Sequence, residues 1–236
     1  MLPLSDGIPA RSFPFVNVAL IVANFCVWIF YELPNLGSAV YHASFYPCAV
    51  NATCHAPEPW GVSWFTAMFM HGSWDHILGN MLFLAIFGKN VESSFGHLRY
   101  LGLYIVGGFV AFLTQTAMTL LFAPAAAAAV PNLGASGAIA AVLGAYFVLY
   151  PNSRILTLIV VFPVRISAWV FLGLWFLYQL FEANYGLFSA HANGGGVAFF
   201  AHVGGFVFGV IAARILTAVR PSGVGAGGLA QAGALP

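Results

Sequence analysis

Long apolar runs separated by short polar stretches dominate the chain. A helix that crosses a bilayer needs about 20 mostly apolar residues, and six segments meet that requirement: 15–31, 73–93, 100–122, 134–150, 167–187 and 196–216. The stretch 155–163 is also strongly apolar, but it is too short to cross and is bracketed by Arg154 and Arg165. It reads as a hairpin or half-buried turn that stays on one side. Between the first two segments lies a long connection, 32–72, with prolines, an Asn-rich turn, Trp60 and Trp64. Trp rings favour the membrane–water boundary, and the connection is expected to fold there.

Composition makes lipid the natural solvent. The 236 residues are 61% apolar, 16% aromatic and only 6% charged, which is too few polar groups to cover a water-facing surface. With seven Lys+Arg against six Asp+Glu, no extended basic surface is available for phosphates, and nucleic acid is not an expected partner. The fold class is therefore all-α, a polytopic bundle of six transmembrane helices over residues 13–217. It is flanked by a cytoplasmic segment, 1–12, and by a Gly- and Ala-rich tail, 218–236, expected to be disordered. The N-terminus lacks the basic region and small-residue cleavage site of a secretory signal, so the first apolar run is read as a retained helix.

Lys and Arg near helix ends are held in the cytoplasm. Arg11, Lys89, Arg99, Arg154, Arg165, Arg214 and Arg220 all fall on one side of the six-span arrangement. Both termini are then cytoplasmic, the connections 32–72, 123–133 and 188–195 face outward, and a prokaryotic plasma membrane is the expected setting. Cys48 and Cys54 flank one polar loop and could bridge in an oxidising compartment. Cys26 lies in an apolar run and is assigned to packing.

Polar residues inside apolar helices are the candidates for chemistry. His76 and Asn80 begin the second segment, Ser136 begins the fourth, and His202 lies about two turns into the sixth, all toward the outer side. Ser136, Ala140 and Gly144 recur at four-residue spacing, and His202, Gly205 and Gly209 at three and four. Such small-residue stripes let membrane helices meet backbone to backbone. Packed together, they bring the serine hydroxyl within reach of the imidazole, the arrangement that activates a serine. Asp75, Glu32, Glu58 and Glu182 fall near or beyond helix ends, so the residues spell a dyad rather than a triad. His76 and Asn80, four apart on one helical face, would donate to a developing oxyanion, together with backbone N–H groups at the start of the fourth helix.

Each residue alone has a blander reading. Serine in a membrane helix is more often a packing residue, Gly134-Ala-Ser-Gly137 is by itself a close-contact surface, and a lone Asn80 is interhelical glue. A histidine in lipid is costly and more often functional, and the four residues at one depth favour a site. His97 is given an interfacial or structural role, and His55 and His191 none. A metal site is not expected, because the helical His-Glu-x-x-His pattern is missing and His71 and His76, five apart, fall on poorly matched helical faces.

The stretches His71-Gly-Ser-Trp-Asp-His76-Ile-Leu-Gly-Asn80, Gly134-Ala-Ser136-Gly137 and Ala201-His202-Val-Gly-Gly205, with Gly209 after it, resemble the rhomboid family of intramembrane serine proteases over residues 13–217. The resemblance implies a six-helix core with Ser136 as nucleophile, His202 as base, and His76 and Asn80 assisting the oxyanion. Gly134, Gly137, Gly205 and Gly209 then pack beside the site. It further implies transmembrane protein substrates, contact with membrane lipid, and no cofactor or metal; it leaves oligomeric state open. Two positions depart from the family pattern. Ala140 stands where many members stack an aromatic ring on the histidine, and Gly61-Val-Ser-Trp64 replaces a Trp-Arg pair. Rival functions are an inactive relative that binds membrane clients, expected to have lost the serine or histidine, and a transporter, expected to carry polar residues into the inner half as well.

Overall fold

The structure is a computed structural model that describes residues 1–188 and 198–218. The expected 188–195 connection beyond its first residue, the N-terminal end of the sixth expected helix, and the tail lie outside the described residues. The first apolar run forms α1 (Phe15–Val27), continued without a break by a π-helical turn at Trp28–Glu32. The 32–72 connection folds into three short helices, α2 (Leu36–Ala43), α3 (Pro47–Val50) and α4 (Trp60–Ala67), and Cys48 and Cys54 form a disulfide. Next come α5 (Trp74–Phe83), a second π-helical turn (Leu84–Gly88) and α6 (Lys89–Phe95). The chain turns at Gly96, in a positive-φ conformation that favours glycine, into α7 (His97–Phe122). The remaining helices are α8 (Ser136–Leu149), α9 (Ala168–Phe188) and α10 (Phe199–Ala218).

Among the described residues, three helices are long and apolar enough to cross a bilayer: Phe15–Glu32, His97–Phe122 and Phe199–Ala218. Length and apolarity therefore do not by themselves return the six expected crossings. One reason is visible at α8, which has 14 residues and is buried continuously from Gly137 to Tyr146. Its neighbours are protein rather than lipid, so it has no need of a full hydrophobic span.

The short apolar stretch is a hairpin. Strands β2 (Arg154–Ile159) and β3 (Phe162–Ser167) pair antiparallel, and Val160 takes a positive φ at the turn. The N-terminal residues add a third strand, β1 (Leu2–Ser5), to the free edge of β2. The N-terminal segment and the hairpin therefore lie on one side, as the distribution of basic residues requires. Behind this sheet the buried Asp6 carboxylate pairs with Lys89 Nζ at 3.2 Å and accepts from Tyr146 OH and Asn90 Nδ2, pinning the N-terminus to α6 and α8. The buried Glu92 carboxylate accepts from the free N–H groups of Val16 and Asn17 at 2.9 and 2.7 Å, satisfying the start of α1.

At the centre, α8 and α10 touch through backbone. A Cβ on Gly205 would come within 2.2 Å of the Gly137 carbonyl oxygen, one on Gly209 within 2.0 Å of Ala141 O, and one on Gly144 within 2.1 Å of Phe206 O. One assignment is corrected here: Cys26 is exposed on α1 rather than packed inside the protein, because its position falls on the outward face of that helix.

Candidate active site

Ser136 opens α8 at the end remote from the sheet. The residue two before it, Gly134, has φ +125° and donates its N–H to the Ala67 carbonyl at 2.8 Å. A Cβ there would be strained and would stand 2.8 Å from His76 Nε2 and 3.5 Å from Ser136 Oγ. Glycine at 134 thus keeps open the space onto which both groups border. The close approach of α8 and α10 brings His202 Nε2 to 2.7 Å from Ser136 Oγ, with the imidazole buried.

The other ring nitrogen is also engaged. His202 Nδ1 lies 2.7 Å from Oε1 of the buried Gln179 on α9, and the Trp175 ring, one turn earlier, packs at 5.9 Å and 35° to the imidazole. Sequence reasoning missed both residues. It looked for a carboxylate and for an aromatic one turn after the serine, at Ala140. The available signal was an amide at i+4 from a Trp inside an apolar helix, a polar group that lipid would make costly without a partner.

His76 and Asn80 lie one turn apart on α5. Ser73 caps that helix by accepting the His76 N–H, and the Gly72 N–H approaches His76 Nδ1 at 3.4 Å. With Nδ1 as acceptor, the ring proton sits on Nε2, the atom that faces Gly134. Asn80 Nδ2 is buried and has no acceptor among the described residues. The first N–H groups of α8 are likewise without intrahelical partners, as at any helix start. These donors surround a cavity of about 240 Å³ whose lining includes Ser136, His202, His76, Asn80 and Gln179, with apolar walls from Phe83, Ile139, Leu143 and Trp175. Of the carboxylates placed near or beyond helix ends, Asp75 also borders this cavity, but the His202 nitrogen it would need is held by Gln179.

His71 corrects a further expectation. It precedes α5 rather than belonging to it, so the helical-face argument fails, and the His71 and His76 rings meet edge to face at 5.0 Å. Its backbone N–H donates to buried Glu32 Oε1 at 2.6 Å, so Glu32, at the end of the first π-helical turn, ties that helix end to the start of α5. Burial lowers the His71 imidazole to about 3, with the nearby His76 acting in the same direction. A histidine kept neutral in the fold but protonated near pH 6.5 when unfolded stabilises the protein above that pH, and the contribution is lost as pH falls toward 3. The parent should therefore lose more stability in detergent than His71→Gln as pH falls through that window; identical slopes would contradict this assignment. His97 pairs with Glu92 and packs against Phe15, and His55 lies in an exposed loop.

Comparison with known proteins agrees with these motifs. The Rhomboid domain family model matches residues 58–219, and the chain belongs to the rhomboid family. It is 30% identical over 152 residues to Rhomboid protein 1, mitochondrial, of Saccharomyces cerevisiae, a match covering 64% of this chain and 40% of that one. To RHOMBOID-like protein 1 of Arabidopsis thaliana it is 28% identical over 181 residues, 73% of this chain and 38% of that protein. To Presenilin-associated rhomboid-like protein A, mitochondrial, of Danio rerio it is 34% identical over 87 residues, 37% and 22% of the two chains. The chain thus spans about two fifths of the length of the first two relatives. All three organisms are eukaryotes, and the expectation of a prokaryotic plasma membrane gains no support from them.

Proposed function

We propose that this chain is an intramembrane serine endopeptidase that cuts transmembrane protein substrates near the outer side of the bilayer. The observation that carries the reading is the 2.7 Å contact between Ser136 Oγ and His202 Nε2 at a cavity between helices. In this reading the helices form a six-span bundle, and the site opens on the side away from the sheet and its arginines. A substrate helix unwinds at its outer end and presents a peptide carbonyl to Ser136. The Ser136 proton moves to His202 Nε2 while the Oγ electron pair forms the new bond to carbon. The carbonyl oxygen becomes negative where His76 Nε2–H, Asn80 Nδ2 and the first N–H groups of α8 converge. His202 then gives its proton to the departing amine, and water from the outer face hydrolyses the ester. No step calls on a cofactor.

The Asn80 amide, unpartnered among the described residues, favours this reading, since a buried donor without an acceptor is costly unless an acceptor arrives during the reaction. Removing one oxyanion donor of this kind costs about 10²–10³ in turnover. Asn80→Ala, reconstituted in liposomes with a fluorogenic single-pass substrate, should lose about that factor in kcat with little change in melting temperature. Parent-level turnover in this variant would remove Asn80 from the mechanism. Mass analysis of the products tests the substrate class: cleavage inside the outer part of the transmembrane segment supports it, and cuts confined to soluble loops count against it.

A further inference from the structure

The third group on the histidine has no counterpart in the dyad. We propose that Gln179 is a positioning residue that fixes the tautomer and ring orientation of His202, holding Nε2 as the proton acceptor for Ser136. The inference rests on the serine-protease reading above and adds a member to it.

A neutral imidazole carries one N–H and one lone pair. Gln179 Oε1, a carbonyl oxygen that can only accept, lies 2.7 Å from Nδ1, so that nitrogen carries the proton and donates it. Nε2 then holds the lone pair, 2.7 Å from Ser136 Oγ, where it can take the hydroxyl proton. The opposite tautomer would set the Nδ1 lone pair against the carbonyl oxygen and leave Nε2 unable to act as base. When Nε2 accepts the serine proton, Nδ1–H stays bonded to Gln179 Oε1, and the same Nε2 proton later leaves with the amine.

An amide suits this place better than the carboxylate of a soluble triad. Gln179 and His202 are both buried, and an ionised carboxylate there would carry a large desolvation cost. A neutral carbonyl orients the ring without that cost. Trp175, one turn before Gln179 on α9, packs on the same ring, whereas Ala140 on α8 offers it no ring. The histidine is thus steadied from α9 while its nucleophile sits on α8.

The test uses full-length protein reconstituted in lipid, with Gln179→Leu, Gln179→Met and Gln179→Glu beside the parent. Each is assayed for kcat and KM on a single-pass substrate, for fluorophosphonate labelling of Ser136, and for melting temperature. In Leu and Met variants, kcat and the labelling rate should fall about 10–10²-fold with KM and melting temperature near parent values. Gln179→Glu, whose buried carboxyl stays protonated and keeps a neutral acceptor oxygen, should retain activity within about tenfold of the parent. Parent-level kcat in Leu and Met variants overturns the proposal. So does a change confined to KM, which would make Gln179 a substrate contact, or loss in all three variants matched by equal falls in melting temperature. A parent protein that never labels at Ser136 would instead fail the serine-protease reading itself.

Discussion

Ser136→Ala and His202→Ala should each reduce cleavage of a transmembrane substrate by at least about 10³-fold while leaving the melting temperature within a few degrees of the parent. Nucleophile and base act as a unit, so the double variant should be no worse than either single one. The fold has little stake in the pair. Ser136 is half-buried at a helix start, and its hydroxyl can be removed without opening a large cavity. His202 leaves a larger space, but its neighbour Trp175 already borders the cavity. Steady-state turnover in proteoliposomes and thermal unfolding in detergent together separate lost chemistry from lost structure. Additive losses, or activity surviving in either variant, would contradict a shared-proton dyad.

The second large effect is steric. Gly209→Val places a branched side chain where even a Cβ would lie 2.0 Å from the Ala141 carbonyl oxygen. Backbone cannot rotate away as a flexible side chain can, so α10 must shift from α8. Overpacking of this kind costs about 3 kcal/mol, which for a domain of this size lowers the melting temperature by roughly 6–12 °C. Activity should fall with it, because the same interface sets the Ser136–His202 distance seven residues away along α10. Unchanged melting and turnover in Gly209→Val would show that the close approach of α8 and α10 is not what holds the site together.

Much of this arrangement was legible in the chain because membrane helices leave strong marks. Apolar runs located the helices to within a few residues, and the small residues at 140, 144, 205 and 209 marked the helix faces that meet. The spacing of His76 and Asn80 put both on one face of α5. What was not legible depends on partners distant in sequence. Strand β1 is four residues long and acquires its meaning only from the edge of β2. Burial of Glu32 follows from the fold of the outer connection over the end of α1, which no local pattern records. Gln179 carries no local signature of its meeting with His202, because that contact joins α9 to α10 and depends on packing rather than on spacing. By length and apolarity three of the described helices could cross a bilayer, and the interrupted run from Trp74 to Phe95 and the short α8 fall outside that count.

The most direct test of the account is reactivity at a single atom. Purified protein in detergent is treated with a fluorophosphonate, digested, and the modified residue located by mass spectrometry, with His202→Ala and heat-unfolded parent alongside. Adduct at Ser136 in the folded parent, absent from the other two samples, is the predicted result. Equal modification of Ser136 in all three, or none in the folded parent, would contradict activation of that hydroxyl by His202.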